Sequence, residues 1–230
     1  MSHDAAESWS TLYSKMDDIS YPAEGVIRIF KGSFPELTMP KPKAGDCVCD
    51  VGCGDGRHLP LFHSLGMDVS AVEITDDITK TLRHRMQGLL VPAKIHTGHA
   101  GDLPFANETF HYLLSWNSCY YMSFGGLDFQ KHVDEMARVF KPGAWIVCSI
   151  PKKSSFIFRD SVEHRVPGYR VIKDDYFGLR NGEVMRCMDS REDLEDSFST
   201  RFDEFCHADL DMDWFGLSYR WHVFAARRSA

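Results

Sequence analysis

Residues 47–56 read "CVCDVGCGDG": an apolar run broken off by three glycines on alternate positions. Glycine inside a folded element costs stability, so such a cluster needs a reason in the backbone. A helix-forming stretch, 57–65, follows at once, with Pro60 tolerable in its first turn. A strand turning through glycines into a helix gathers free N–H groups and the positive end of a helix dipole at one point. That arrangement lets main chain approach a bound ligand closely.

The run is the first of five. Strands are predicted at 47–51, 67–73, 93–97, 109–116 and 144–150, and helices at 57–65, 76–87 and 128–140. Thr75 is placed to cap the second helix and Gly88 to end it. Such alternation predicts a parallel sheet with helices on both faces. The fifth run, "AWIVCSI", is nearly all apolar, as a strand covered on both sides should be. After Pro151 the rhythm changes. "YRVIKDD" and "EVMRCMD" flank Asn181-Gly182, a hairpin signal, and a short helix at 191–198 is capped by Ser190. Two strands joined at Trp214-Phe215-Gly216 close the chain and should pair antiparallel. The predicted fold is therefore α/β: a Rossmann-like, seven-stranded, mostly parallel sheet with a C-terminal antiparallel pair and a small β-hairpin insertion after strand five.

The 230 residues suffice for one core domain, predicted at 46–230 with an insertion at about 152–198. Residues 1–45 read as an N-terminal helical segment of two short helices interrupted at Tyr21-Pro22, with 1–8 fraying. The 33 acidic against 26 basic residues argue against a nucleic-acid-binding face. No apolar run is long enough to span a bilayer and no export signal is evident, so a cytoplasmic protein without a membrane partner is expected. The seven cysteines are odd in number, and Cys47, Cys49 and Cys53 lack partners at zinc spacing, so buried thiols are expected and no metal. "DLDMD" (209–213) sets three aspartates on one solvated strand face.

Glu73 ends the second strand, at the sheet edge where the glycine loop also opens, placed to accept from the two hydroxyls of a ribose. The loop is G-x-G-x-G, one residue shorter than the dinucleotide fingerprint, which disfavours an NAD-dependent dehydrogenase. Four landmarks in order, "DVGCGDG" (50–56), Glu73, "LPF" (103–105) and "RVFKPGA" (138–144), resemble the class I S-adenosylmethionine-dependent methyltransferases over about residues 46–150. The resemblance implies S-adenosylmethionine as cofactor and S-adenosylhomocysteine as product. It implies a site made of Asp50, the loop Gly52, Cys53, Gly54 and Gly56, with Glu73 on the ribose and Ile74 against adenine. His99, Ala100 and Gly101 would run along the adenine edge, Ala100 offering its N–H. His99 stands where the family commonly has an aspartate, and a neutral imidazole can accept one hydrogen bond there. Ser115, Trp116 and Asn117 would wall the methionyl group. Tyr13, in a segment resembling the family's lid, and Arg28 could reach the cofactor carboxylate, with a surface salt bridge as the alternative for Arg28.

The chemistry so implied is an in-line methyl transfer, which needs positioning more than a strong base. Tyr120 and Tyr121 are the residues that could face the acceptor; His164, His207 and His222 read as packed or surface histidines. A small-molecule acceptor is the leading expectation, with a monomer or homodimer. The alternatives are a protein or peptide side-chain methyltransferase and a non-catalytic, S-adenosylmethionine-binding regulatory or partner protein.

Overall fold

The computed structural model describes residues 5–16, 19–123 and 126–229. Five parallel strands, β1 (Cys47–Val51), β2 (Asp68–Glu73), β3 (Ala93–Thr97), β4 (Phe110–Trp116) and β5 (Phe140–Pro151), lie in one sheet with β9 (Phe202–Trp214) and β10 (Leu217–Arg228). The order is β3-β2-β1-β4-β5-β10-β9, with β10 antiparallel to both its neighbours. The chain starts mid-sheet, winds outward to β3, then returns to β4. This reversal opens a crevice at the carboxyl ends of β1 and β4.

Side-chain alternation drives the layering. On β4, Leu113 joins one buried cluster while Tyr112, Leu114 and Trp116 join the other; on β5, Ile146 and Cys148 oppose Trp145 and Val147. Both faces are thus apolar and both are covered. Helices α3 (Leu59–Ser64), α4 (Asp76–Gly88) and α5 (Phe129–Arg138) connect the parallel strands. The α4 cap forms as the sequence predicts, the Ile78 N–H donating to Thr75 Oγ1 at 3.2 Å. Likewise Ser190 caps α7 (Arg191–Phe198) by accepting from the Asp193 N–H at 3.1 Å.

Three local expectations change. Helix α1 (Ala5–Ser14) already begins at Ala5, against α4, where fraying was expected through residue 8; residues 1–4 lie outside the described residues. Strand β5 begins at Phe140, four residues early, because the ladder with β4 shifts register between Phe110 and Tyr112 and so admits Pro142 and Gly143. The insertion contains α6 (Phe156–Arg159) and a three-stranded sheet of β6 (Ser161–Glu163), β7 (Tyr169–Ile172) and β8 (Val184–Arg186). Asn181-Gly182 does form a turn, with the Glu183 N–H on the Arg180 carbonyl at 2.9 Å, but a longer loop separates the strands. Helix α2 (Glu24–Lys31) buries Val26 and Phe30 on the sheet face that holds Trp116.

Six of the seven cysteines are buried and Cys47 is half-buried. The aspartates of 209–213 are exposed, yet all three are engaged, Asp213 accepting from the Gly216 N–H at 2.8 Å. Lys152 Nζ lies 3.0 Å from Asp209 and 2.9 Å from Asp211, which tethers the end of β5 to β9. Among the described residues no helix is long and apolar enough to cross a membrane.

Candidate active site

The floor of the crevice is the glycine loop. All three glycines have positive φ, and each gives way to a different neighbour. A Cβ on Gly52 would stand 2.4 Å from the Ser118 side chain, and one on Gly54 would stand 2.7 Å from the Tyr13 hydroxyl. At Gly56 the claim is made by Leu82 of α4, so that glycine seats a helix and does not face the cleft. Of the three, only Gly52 lines the cleft directly.

Glu73 supplies the charge. It is buried, with Oε1 accepting from the Gly54 N–H at 2.6 Å and Oε2 from the Ile74 N–H at 2.9 Å. Burial nevertheless outweighs these two bonds and pushes its pKa up to about 7. A carboxylate fixed at both oxygens, yet short of full compensation, is suited to a ligand bringing two hydroxyl donors. Ile74 lies beside it, followed by Gly98, His99 and Ala100 along the same wall.

The roof comes from afar. Trp9 and Tyr13 lie four residues apart on α1, stacked at 5.6 Å, and both line the cleft. Burial first, and then the neighbouring Glu73, pushes the Tyr13 phenol well above its ordinary value. After β4 come Asn117, Ser118 and Tyr121; α5 contributes His132 and the insertion Glu183. Backbone bonds tie this roof down, the Met122 N–H meeting the Val184 carbonyl and the Arg186 N–H that of Tyr120, each at 2.9 Å. The whole encloses about 770 Å³ of empty space, part of it open to solvent.

The structure brings together Tyr13, Gly52, Glu73, Ile74, His99, Ala100, Asn117 and Tyr121 from the residues the sequence singled out. The others stand apart, for identifiable reasons. Asp50 is buried beneath the loop, 3.0 Å from His58 Nδ1, and Cys53 is packed in the core. Gly101 makes room for His132, whose Cδ2 a Cβ there would meet at 2.7 Å. Trp116 shares the strand face of Tyr112 and Leu114, which turns it away from the cleft to lie against Gly25. Ser115 is fully buried, its hydroxyl 2.9 Å from Ser118 Oγ. Tyr120 is core, and Arg28 pairs with Glu24 on the exposed face of α2 at 2.6 Å, the plain surface salt bridge.

His99 also changes character. Its Nδ1 accepts from the Gly101 N–H at 3.1 Å, and burial, then His132, holds its pKa below the ordinary value. The neutral ring therefore carries its proton on Nε2 and offers a donor where the sequence suggested an acceptor. His164, His207 and His222 do not line the cleft; His132 does, and its sequence context gave no signal beyond an apolar helix face.

A family profile described as a methyltransferase domain matches residues 48–143. The chain is 28% identical over 182 residues to the demethylmenaquinone methyltransferase of Lysinibacillus sphaericus, covering 76% of this chain and 68% of that one. The chain carries a methyltransferase domain, of the kind its sequence resembles, that of the class I S-adenosylmethionine-dependent enzymes. Among solved structures, an S-adenosylmethionine-dependent methyltransferase of Methanosarcina mazei superposes with a TM-score of 0.66 at 16% identity, over 92% of this chain and 99% of that one. The 1,6-didemethyltoxoflavin-N1-methyltransferase of Burkholderia thailandensis, solved with 1,6-didemethyltoxoflavin and S-adenosylhomocysteine bound, superposes at 0.59 and 13% identity, over 81% and 72%. The glycine loop and Glu73 both fall inside the matched segment.

Proposed function

We propose that this methyltransferase methylates a small molecule held under the roof of the cleft, with Glu73 binding the ribose hydroxyls of the cofactor. The carrying observation is the Glu73 carboxylate, pinned by the Gly54 and Ile74 N–H groups and lining one cleft with Trp9, Tyr13 and Tyr121. On this reading Ile74 packs on the adenine and the Ala100 N–H serves its edge. His99 donates to an adenine ring nitrogen, Asn117 and Ser118 flank the methionyl group, and Tyr121 meets the acceptor.

Bound there, S-adenosylmethionine supplies an electrophilic methyl carbon on a sulfonium centre. The protein's part is alignment and exclusion of water, because charge disperses as the acceptor's lone pair displaces the thioether. Trp9 and Tyr13 shield the reacting line from solvent, and Tyr121 orients the acceptor through its hydroxyl. Within the N-terminal segment helix α1 serves as the lid, and about 152–198 serves as the acceptor-side wall of a single domain. A cleft partly roofed by side chains favours a small acceptor over a protein side chain, which would need an open trough. Two of the proteins this chain resembles are named for small acceptors, demethylmenaquinone and 1,6-didemethyltoxoflavin.

Calorimetry with S-adenosylhomocysteine tests the cofactor assignment: the wild type should bind it, and NAD should give no heat. Methyl-labelled S-adenosylmethionine incubated with a metabolite extract should then label a low-mass product. Label in protein alone would overturn the small-acceptor reading.

A further inference from the structure

Arg180 has no part in the reading above, yet three separate segments converge on it. It sits in the insertion loop between β7 and β8. Its Nε–H donates to the Tyr121 hydroxyl oxygen at 2.9 Å, and Nη1 lies 3.0 and 3.1 Å from the two carboxylate oxygens of Asp175. From the other side, the guanidinium lies over the Trp9 ring of α1, 5.2 Å from its centroid. Trp9 in turn meets Tyr121 edge-on at 6.4 Å.

The loop is braced around this cation. Asp175 has a fully buried side chain, accepts from the Leu179 N–H at 2.9 Å, and donates its own N–H to Asn181 Oδ1 at 2.7 Å. Burying an ion pair is costly and gives little net stability, so a pair placed against a cleft invites a positional explanation. The phenol has one proton to give. With Arg180 donating to its oxygen, that proton points elsewhere, and Tyr121 lines the cleft.

We propose that Arg180 is a positioning residue: it aims the Tyr121 hydroxyl proton into the cleft and fixes the Trp9 indole beside it, selecting an uncharged acceptor with an oxygen or ring-nitrogen lone pair near the methylated atom. The acceptor class follows from charge. Glu73 and Glu183 line the cleft, but among its described lining residues there is no lysine or arginine, and the charge of Arg180 is matched by Asp175. A carboxylated or phosphorylated acceptor would enter without a counter-ion. The acceptor class, though not the contact itself, rests on the methyl-transfer reading.

The test is fluorine NMR on the full chain carrying 3-fluorotyrosine, with the residue-121 signal assigned by its loss in Tyr121→Phe. In Arg180→Met the residue-121 signal should move and its titration should rise by about one pH unit, since a cation beside the phenol is removed. Arg180→Lys should recover part of that shift, and calorimetric affinity for S-adenosylhomocysteine should stay within about threefold in both variants. With S-adenosylhomocysteine bound to the wild type, uncharged heteroaromatic carbonyl compounds should move the same signal, and their carboxylated analogues should not. An unmoved signal in both Arg180 variants, a greater response to the carboxylated compounds, or no response to either set would overturn the proposal. Lack of S-adenosylhomocysteine binding by the wild type would instead remove the methyl-transfer reading, while the Arg180 variants would still report whether the contact exists.

Discussion

The floor and the roof of the cleft are built on different principles. The floor, from Gly52 to Gly54 with Glu73 and Ile74, is nearly all backbone geometry from two adjacent strands. Its key bond, Gly54 N–H to Glu73, spans 19 residues. The roof is side chain, gathered from α1, the β4 loop, α5 and the insertion, and the Arg180–Tyr121 bond spans 59 residues. A floor made of local backbone can serve one unvarying ligand, whereas a roof of distant side chains can be rebuilt for different acceptors without disturbing it. This division predicts that damage to the floor should abolish cofactor binding and damage to the roof should not.

The sharpest way to break the comparison is Glu73→Ala. If the carboxylate takes two ribose hydroxyls, each charge-assisted bond is worth about 1.5–3 kcal/mol, so S-adenosylhomocysteine affinity should fall by about two orders of magnitude or more. Calorimetry reads this directly, and an unchanged affinity would take the ribose away from Glu73.

Acidity offers a second way. The folded state holds the Glu73 proton up to about pH 7, whereas the ordinary value is 4.5. Between those limits the folded state binds more protons than the unfolded chain. Ligand-free stability therefore falls as pH rises from about 4.5 to 7 and then levels, by about 3 kcal/mol at most. Glu73→Gln should remove that fall, leaving the ligand-free protein more stable at pH 8 although its ligand affinity is lost. Wild-type affinity should run the other way, weakening below pH 7 as the acceptor oxygens become protonated. Thermal melts and calorimetry at pH 5.5, 7 and 8.5 measure both trends, and parallel trends would contradict the assignment.

The floor meets the roof at Gly54. Its φ is +60°, and a Cβ would press on the Tyr13 hydroxyl. Gly54→Ala should cost about 1–3 kcal/mol of stability from backbone strain alone. Combining it with Tyr13→Phe should recover only the steric part, so a double-mutant cycle by chemical denaturation separates conformation from contact.

What was legible in the sequence follows the same division. The succession of strands and helices along the chain, the Thr75 and Ser190 caps and the placement of Glu73 at the end of β2 depend on patterns within a few residues, and the structure reproduces them. Trp116 was misplaced although the signal existed: it shares parity with Tyr112 and Leu114, whose burial on the α2 face sends it the same way. His132 and Arg180 had no such signal. Each takes its position from a partner far along the chain, Cys119 for the one and Tyr121 for the other, which local periodicity does not encode. Asp50 was read as a ligand contact because the glycine motif includes it. The structure pairs it with His58 beneath the loop at 3.0 Å, a contact that the motif pattern does not encode.

The smallest expected effect is at Arg28, which belongs to neither floor nor roof. A guanidinium suits a carboxylate, and α2 lies close enough in sequence to the lid for that partner to be the cofactor's. Yet the Arg28 side chain is 62% exposed and its partner Glu24 is 71% exposed, one helical turn away. Exposed pairs of this spacing contribute little, because solvent screens them and two long side chains must be ordered. Arg28→Ala should therefore leave S-adenosylhomocysteine affinity within about twofold. A tenfold loss by calorimetry would mean that α2 swings toward the cleft when the cofactor binds, and the floor would then include a side chain from outside the β1–β2 unit.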